Sequence, residues 1–409
     1  MDLLLLSIVI LVFIILFIDI FPILKNWTLR IHIGRYNNYD EWENAITERG
    51  IKWLSKTPKI KLKDQSRLIL LDIIRGNYSK DAIQHWQQAA LLLGLTENYK
   101  LTDNNKIYVE IVRFLDMNFD KDGNWIKKPE YVDAAILSYS VMNLENVDLD
   151  KYKPGFDQIW EMINSHIGED GTVKYRIFMS NYRYVDTIGF ICPFLIKYGT
   201  KFNKNECIDL AINQIKKFNE YGMVDSFKLP FHVYKINDDK APIGMMGWGR
   251  GLGWYAIGLI DAWGELSAGS ENKPILEKLI IEFANKALKL QQKNGSWNWT
   301  VTRNESRADS SATATIGWFM IKASEIEIEE VSKECLESAE RAISYLMQVT
   351  RKNGSVDFSQ GDTKDIGVYS SSFDILPFTQ GFCMRLISYY NKKKKHEYEA
   401  EKRFLQLKK

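Results

Sequence analysis

The chain has 409 residues, 45% of them hydrophobic, enough apolar material for a large core in one or two domains. Its 54 basic and 52 acidic side chains leave a net charge of +2, which excludes the basic excess of a duplex-binding surface, so no nucleic-acid partner is expected. The four cysteines, Cys192, Cys207, Cys335 and Cys383, form no CxxC pair, which argues against a zinc site or a disulfide framework and fits four small buried hydrophobes.

In chain order, the first element is an apolar run from Leu3 to Ile18, broken only by Ser7, that resumes after Asp19 and reaches Leu24. It is long enough to span a bilayer. Asp2 precedes it with no Lys or Arg, and no small-residue cleavage site follows. The pattern therefore predicts an uncleaved single-pass anchor over 1–24 more than a signal peptide. Lys25, Arg30 and Arg35 follow the span closely, so the positive-inside rule places the body in the cytoplasm, with a surface-exposed body as the alternative. Residues 25–60 read as a juxtamembrane segment and lead-in helix.

From 61 to 391 a repeat emerges. Glycine-centred turns recur at Gly76, Gly123, Gly171, Gly222, Gly295 and Gly354. Each closes an amphipathic helix and precedes a more apolar one. The predicted outer helices cover 63–75, 103–118, 156–167, 204–219, 274–292 and 331–349. The predicted inner helices cover 81–93, 131–144, 186–198, 250–266, 309–325 and 374–391. Helices apolar all round must be buried all round, so six such pairs close into an all-α (α/α)6 toroid. Residues 392–409 form a charged tail. Lys392–Lys395 would suit an anionic inner leaflet or stay simply solvated.

This geometry gathers every outer-to-inner loop, and every inner-helix N-terminus, at one end of the ring. A cleft there favours anions, and the 12 Trp, 20 Tyr and 20 Phe supply rings for a core or for stacking on sugars. Asp133 and Asp186 open the second and third inner helices in parallel contexts, "EYVDAAIL" and "RYVDTIGF". They read as a pair of cleft carboxylates or as helix caps. The segment "FHVYKINDDKAPIGMMGWGRGLGWY" brings His232, Trp248, Arg250 and Trp254 among five glycines. It has neither the spacing nor the context of a phosphate loop. "ADSSATATIGWF" places Ser310 at the start of the fifth inner helix, where it could line the cleft or cap.

The strings "YVDTIGFICPFLIKYG", "WGRGLGWYAIGLIDA" and "SSATATIGW" resemble the unsaturated uronyl hydrolases of glycoside hydrolase families 88 and 105, over roughly residues 60–391. The resemblance implies an (α/α)6 enzyme that needs no metal or cofactor. It removes an unsaturated uronic acid from the non-reducing end of acidic oligosaccharides left by polysaccharide lyases. It further implies Asp186 as general acid and base and Asp133 as the second acidic residue. His232 and Arg250 would then be polar pocket residues, and Trp248 and Trp254 the aromatic wall. In such enzymes His232 would be followed by Gly-Trp-Asp; here Val233, Tyr234 and Lys235 follow. A membrane-tethered, non-catalytic glycan-binding or assembly factor on the same fold is the competing expectation. The sugar next to the uronate and the oligomeric state stay open.

Overall fold

The computed structural model describes residues 2–60, 69–74, 85–224, 226–237, 240–326 and 329–407. A 29-residue helix, α1 (Asp2–Arg30), is followed by α2 (Tyr39–Ser55) and a short α3 (Ile69–Ile74). The body continues with α4 (His85–Thr102), α5 (Asn105–Asn118), α6 (Ala134–Met142) and α7 (Lys153–Ser165). Then come α8 (Val185–Phe202), α9 (Asn205–Tyr221), α10 (Gly249–Glu265) and α11 (Lys273–Leu290). The last three are α12 (Ser310–Ala323), α13 (Glu329–Gln348) and α14 (Pro377–Leu407).

The even-numbered helices from α4 to α14 pack each on the next, and α14 returns to α4. They are the six inner members of a closed toroid. α6, with the sequence AAILSYSVM, is buried at every position. The outer helices bury one stripe each, as α7 does through Phe156, Ile159, Met162 and Ile163.

The first outer member differs from the sequence expectation. The outer position flanking α14, α4 and α5 is filled by Tyr39–Ser55, not by residues 63–75. Trp42, Ile46, Trp53 and Leu54 recur at helical spacing, are all buried, and make this the amphipathic partner. Of 63–75 only α3 is described, and it lies beside α1. The Gly76 turn and residues 81–84 of the expected first inner helix lie outside the described residues. The charged tail also differs, since α14 runs unbroken through 392–407.

Ring closure depends on small residues. A Cβ at Gly381 of α14 would run into the backbone carbonyl of Ala90, and one at Gly94 of α4 into the carbonyl of Gly381. The two helices therefore meet backbone to backbone.

Regular β-structure among the described residues is short and lies in the loops. β1 (Tyr182–Tyr184), β2 (Phe231–Lys235) and β3 (Pro242–Met246) form an antiparallel sheet in that order. β4 (Ser359–Gln360) pairs with β5 (Phe373–Asp374).

The base of α1 is bolted to the body. Arg30 donates from Nε and Nη2 to the two carboxylate oxygens of Asp357 at 2.6 and 2.9 Å. Asp357 also accepts from Arg351 Nε at 2.6 Å, and Arg351 reaches Asp374 at 2.8 Å. Asn26 donates to Asp374 at 3.2 Å. Burial works against charge on Asp357, but the hydrogen bonds from Arg30 and Arg351 outweigh it and hold its pKa below the usual value.

Gly381→Ala should destabilise the protein by about 1–3 kcal/mol, the usual cost of forcing extra atoms into a full core. Denaturant unfolding of the detergent-solubilised chain measures it. An unchanged midpoint would remove backbone contact as the basis of closure.

Candidate active site

A cavity of about 220 Å³ opens at the end of the ring where the inner helices begin. Trp86 comes from the start of α4, Asp186 and Phe190 from α8, and Arg250 and Trp254 from α10. The first turns of α8 and α10 thus bring their positive dipole ends toward one space.

The two expected carboxylates are not caps. Asp186 is the second residue of α8, and neither it nor Tyr184 before it makes a capping bond. Asp133 precedes α6 with helical backbone angles and no capping bond. Its Oδ2 instead accepts from the His85 N–H at 3.2 Å, and it is not among the residues lining the cavity. Asp309 shows what a cap looks like here. Its Oδ1 accepts the N–H of Ser311 at 2.9 Å and of Gln360 at 3.0 Å.

Asp186 lines the cavity, and its Oδ2 is buried with no hydrogen-bond partner. A buried carboxylate oxygen left unpaired is costly, so the position is one where stability is sacrificed. The nearest cationic candidate is His232, whose Nε2 stands 3.5 Å from that oxygen. β1 runs straight into α8 while β2 pairs with it, Tyr184 opposite Val233, which puts His232 beside the start of α8. On its other side, His232 Nδ1 lies 3.1 Å from the Tyr369 hydroxyl. Tyr369 accepts the Met245 N–H at 2.9 Å, so its own proton is free to go to Nδ1. Nε2 would then carry the ring proton toward Asp186. Burial pushes Tyr369 up to about 12, which keeps it a donor at neutral pH.

The residues after His232 have other work. Val233 belongs to the sheet register, and Tyr234 packs on Phe218 and Tyr221 at 5.5 and 5.9 Å. Trp248 stacks near His232 at 4.7 Å and donates from Nε1 to Gln360 at 2.8 Å. Trp254 lines the cavity with Phe190, 4.5 Å away, and packs behind it on Phe378 at 4.6 Å. Arg250 lines the cavity, but its fork is engaged. It donates to the carbonyls of Gln360 and Gly361 at 2.6 and 2.9 Å, and so holds the loop after β4. Ser310 is not brought to the cleft. It is fully buried, does not line the cavity, and its N–H is bonded to the Phe358 carbonyl at 3.1 Å because it sits behind the Asp309 cap.

Sequence reasoning missed the wall opposite. Asp362, Thr363, Lys364 and Asp365 line the cavity, together with Trp86, Tyr175 and Tyr184. Asp362 is largely buried, 3.7 Å from Arg250 Nη2. Burial pushes its carboxyl up. Arg250 and the Thr363 N–H pull it down, and the charges of Asp186 and Asp133 add to the rise. The signal was the run "GDTKD", residues 361–365, in the sixth outer-to-inner loop.

The sequence model of Glycosyl Hydrolase Family 88 matches residues 66–394. The unsaturated rhamnogalacturonyl hydrolase YesR of Bacillus subtilis strain 168 is 17% identical over 278 residues, covering 64% of this chain and 77% of that protein. Among solved structures, a possible family 105 member from Salmonella enterica serovar Paratyphi A superposes with a TM-score of 0.71 at 17% identity, over 88% of this chain and 96% of that one. The unsaturated glucuronyl hydrolase from Bacillus sp. GL1, described as responsible for glycosaminoglycan degradation, gives 0.64 at 14% identity, over 86% and 96%. The (α/α)6 toroid is thus the shared fold.

Asp362 supplies a stability test. A raised pKa means the folded state holds the proton more tightly, so ionised Asp362 costs stability above its folded pKa, and the cost disappears below its unfolded value. Asp362→Asn should therefore raise the melting temperature at about pH 8, with the gain fading toward about pH 4, near the ordinary carboxylate range. Thermal melts across that range check it. A gain that grows on acidification would overturn the assignment.

Proposed function

Because the chain belongs to Glycosyl Hydrolase Family 88 and is a glycoside hydrolase, we propose that it removes an unsaturated uronic acid from the non-reducing end of lyase-generated oligosaccharides. The observation that carries this reading is that Asp186 lines the cavity while its buried, unpartnered Oδ2 faces His232 Nε2 at 3.5 Å. The cavity, about 220 Å³, is smaller than the roughly 300–1,000 Å³ of drug-sized sites, which suits one terminal sugar. The helix N-termini favour its carboxylate.

The substrate is an enol ether, with its carbon 4–carbon 5 double bond conjugated to the carboxylate. Protonated Asp186 delivers its proton to carbon 4, and oxocarbenium character develops at carbon 5. The Asp186 carboxylate then takes a proton from water as the water oxygen bonds to carbon 5. The resulting hemiketal opens and releases the remaining sugar. His232 Nε2–H stabilises the carboxylate form between the two steps, and its own orientation is fixed by Tyr369. Asp133, held by the His85 N–H, is the second acidic residue of this reading. Trp248 and Trp254 offer ring faces to the sugar. The neighbouring sugar is not specified by these contacts.

We also read α1 as a single-pass anchor. Leu3–Arg30 has a mean hydropathy of 3.3 over its most apolar window, none of which is buried. The ion pair of Arg30 with Asp357, which ties the base of this helix to the body, supports a retained anchor. Lys25 and Arg35 favour a cytoplasmic body. The division we propose is an anchor, a ring beginning at α2, and a charged helical extension from 392.

Asp186→Asn should lower turnover by about 10²–10⁴-fold with the fold intact, the range of a lost general acid–base group. The assay follows the loss of enol-ether absorbance on a panel of lyase-generated disaccharides. Wild-type turnover retained by that variant would sink the role of Asp186, and no turnover by the wild-type chain on the panel would sink the substrate class.

A further inference from the structure

The end of the ring that carries the cleft is also the end to which α1 is attached. Arg30 and Asn26 bind Asp357 and Asp374, which bracket the loop whose Asp362–Asp365 stretch lines the cavity. The rest of α1 is exposed, so the body meets the helix at this loop and at α3. There the Leu70 N–H bonds to Asp19 at 3.1 Å, and Leu71, Ile73 and Ile74 are exposed.

The surface around the cleft is unusual for a ring that faces water. Among the described residues, six large hydrophobics stand exposed on outer-to-inner loops: Ile126, Tyr131, Ile177, Phe178, Phe227 and Val368. Outside these loops, α1, α3 and the adjoining Ile31, only Val109, Met117 and Tyr398 are comparably exposed. Phe178 is 78% exposed and Ile177 58%, on adjacent positions of one loop. Arg176, beside them, lies over the Tyr131 ring at 4.3 Å and joins this loop to the one before. Exposed Lys127 and Lys128 follow Ile126 directly. Apolar and aromatic tips with lysines next to them are the composition of a surface that sits in the interfacial layer of a membrane. The far end carries the opposite character. There α14 continues as Lys392–Lys395, and Lys393 bonds to Ser324 at the end of α12 at 2.7 Å.

We propose that the cleft end of the ring is seated on the phospholipid bilayer that α1 enters, with the tips at Ile126, Ile177, Phe178 and Phe227 in its interfacial layer. The cleft then opens toward glycan held at the membrane surface, and Lys392–Lys395 point away from it. The proposal rests on the anchor reading of α1 and is independent of the substrate class.

The test uses the full chain reconstituted in vesicles of phosphatidylcholine with some phosphatidylglycerol. All four native cysteines are buried, so a cysteine at Phe178→Cys, Phe227→Cys or Tyr398→Cys can be labelled alone with an environment-sensitive fluorophore. The expected result is blue-shifted emission at 178 and 227 that is quenched by lipids bearing a doxyl group near the ester region. Position 398 should stay water-like and unquenched. Water-like emission at 178 and 227 in a carbonate-resistant chain overturns the seating and leaves the anchor standing. Burial of these positions without lipid quenching overturns it in favour of contact between copies. A chain extracted by carbonate overturns the anchor and the seating together. None of these outcomes bears on hydrolysis of soluble disaccharides, which is read separately.

Discussion

Everything at the cleft depends on how closely the inner helices approach one another. Gly381 against Ala90 and Gly94 closes the ring between its last and first members. The same device recurs between α8 and α10, where a Cβ at Gly189 would meet Trp254 at 2.6 Å and one at Gly258 would run into Ile188. Side chains at these crossings would push the helices apart and widen the circle on which their N-termini lie. Because they meet backbone to backbone, Asp186 of one repeat and Arg250 and Trp254 of the next share one cavity. The chemistry is local, but its geometry is set by contacts along the lengths of the helices.

Within that frame, polar groups divide into those fully engaged and those left idle. Arg250 spends its fork on two carbonyls of the loop after β4, and Gln360 of that loop accepts from Trp248. Asp309 joins in through the Gln360 N–H. The wall bearing Asp362 is thus pinned from three sides. Asp186 Oδ2 is among the buried atoms without a hydrogen-bond partner, as are Asp133 Oδ1 and Thr187 Oγ1, and of these three residues only Asp186 lines the cavity.

The toroid was legible in the sequence because it rests on helical periodicity repeated six times. Apolar positions in α6 and α10 and the stripes of α7 and α9 specify inner and outer roles without further information. The first outer helix was misplaced because Gly76 set the phase of the repeat, while α2 joins α4 through a long connection that periodicity cannot read. Asp186 was legible from its parallel with Asp133, though only the structure separates both from the capping role that Asp309 fills. Ser310 was misread for the same reason, since a small polar residue after a cap faces the core as readily as the cleft. Asp362 was invisible to this reasoning because it lies on a loop with no periodic signal, and its place in the wall is created by Arg250 from another repeat. Tertiary contacts between repeats are what a one-dimensional pattern lacks.

The anchor's attachment has a mechanical consequence. Asp357 is fully buried between Arg30 and Arg351, and a buried carboxylate with two guanidinium partners has no cheap alternative arrangement. Removing Arg30 leaves Arg351 as its remaining guanidinium partner and leaves Asn26 to hold the loop to α1. That loop runs from β4 through Asp362 to Tyr369, which orients His232, and on to Asp374, which binds Asn26. A body cut free after residue 38 therefore loses the struts from Arg30 and Asn26 to the loop that carries Asp362 and Tyr369. In this chain α1 and the cavity share a loop, and the position of the one constrains the geometry of the other.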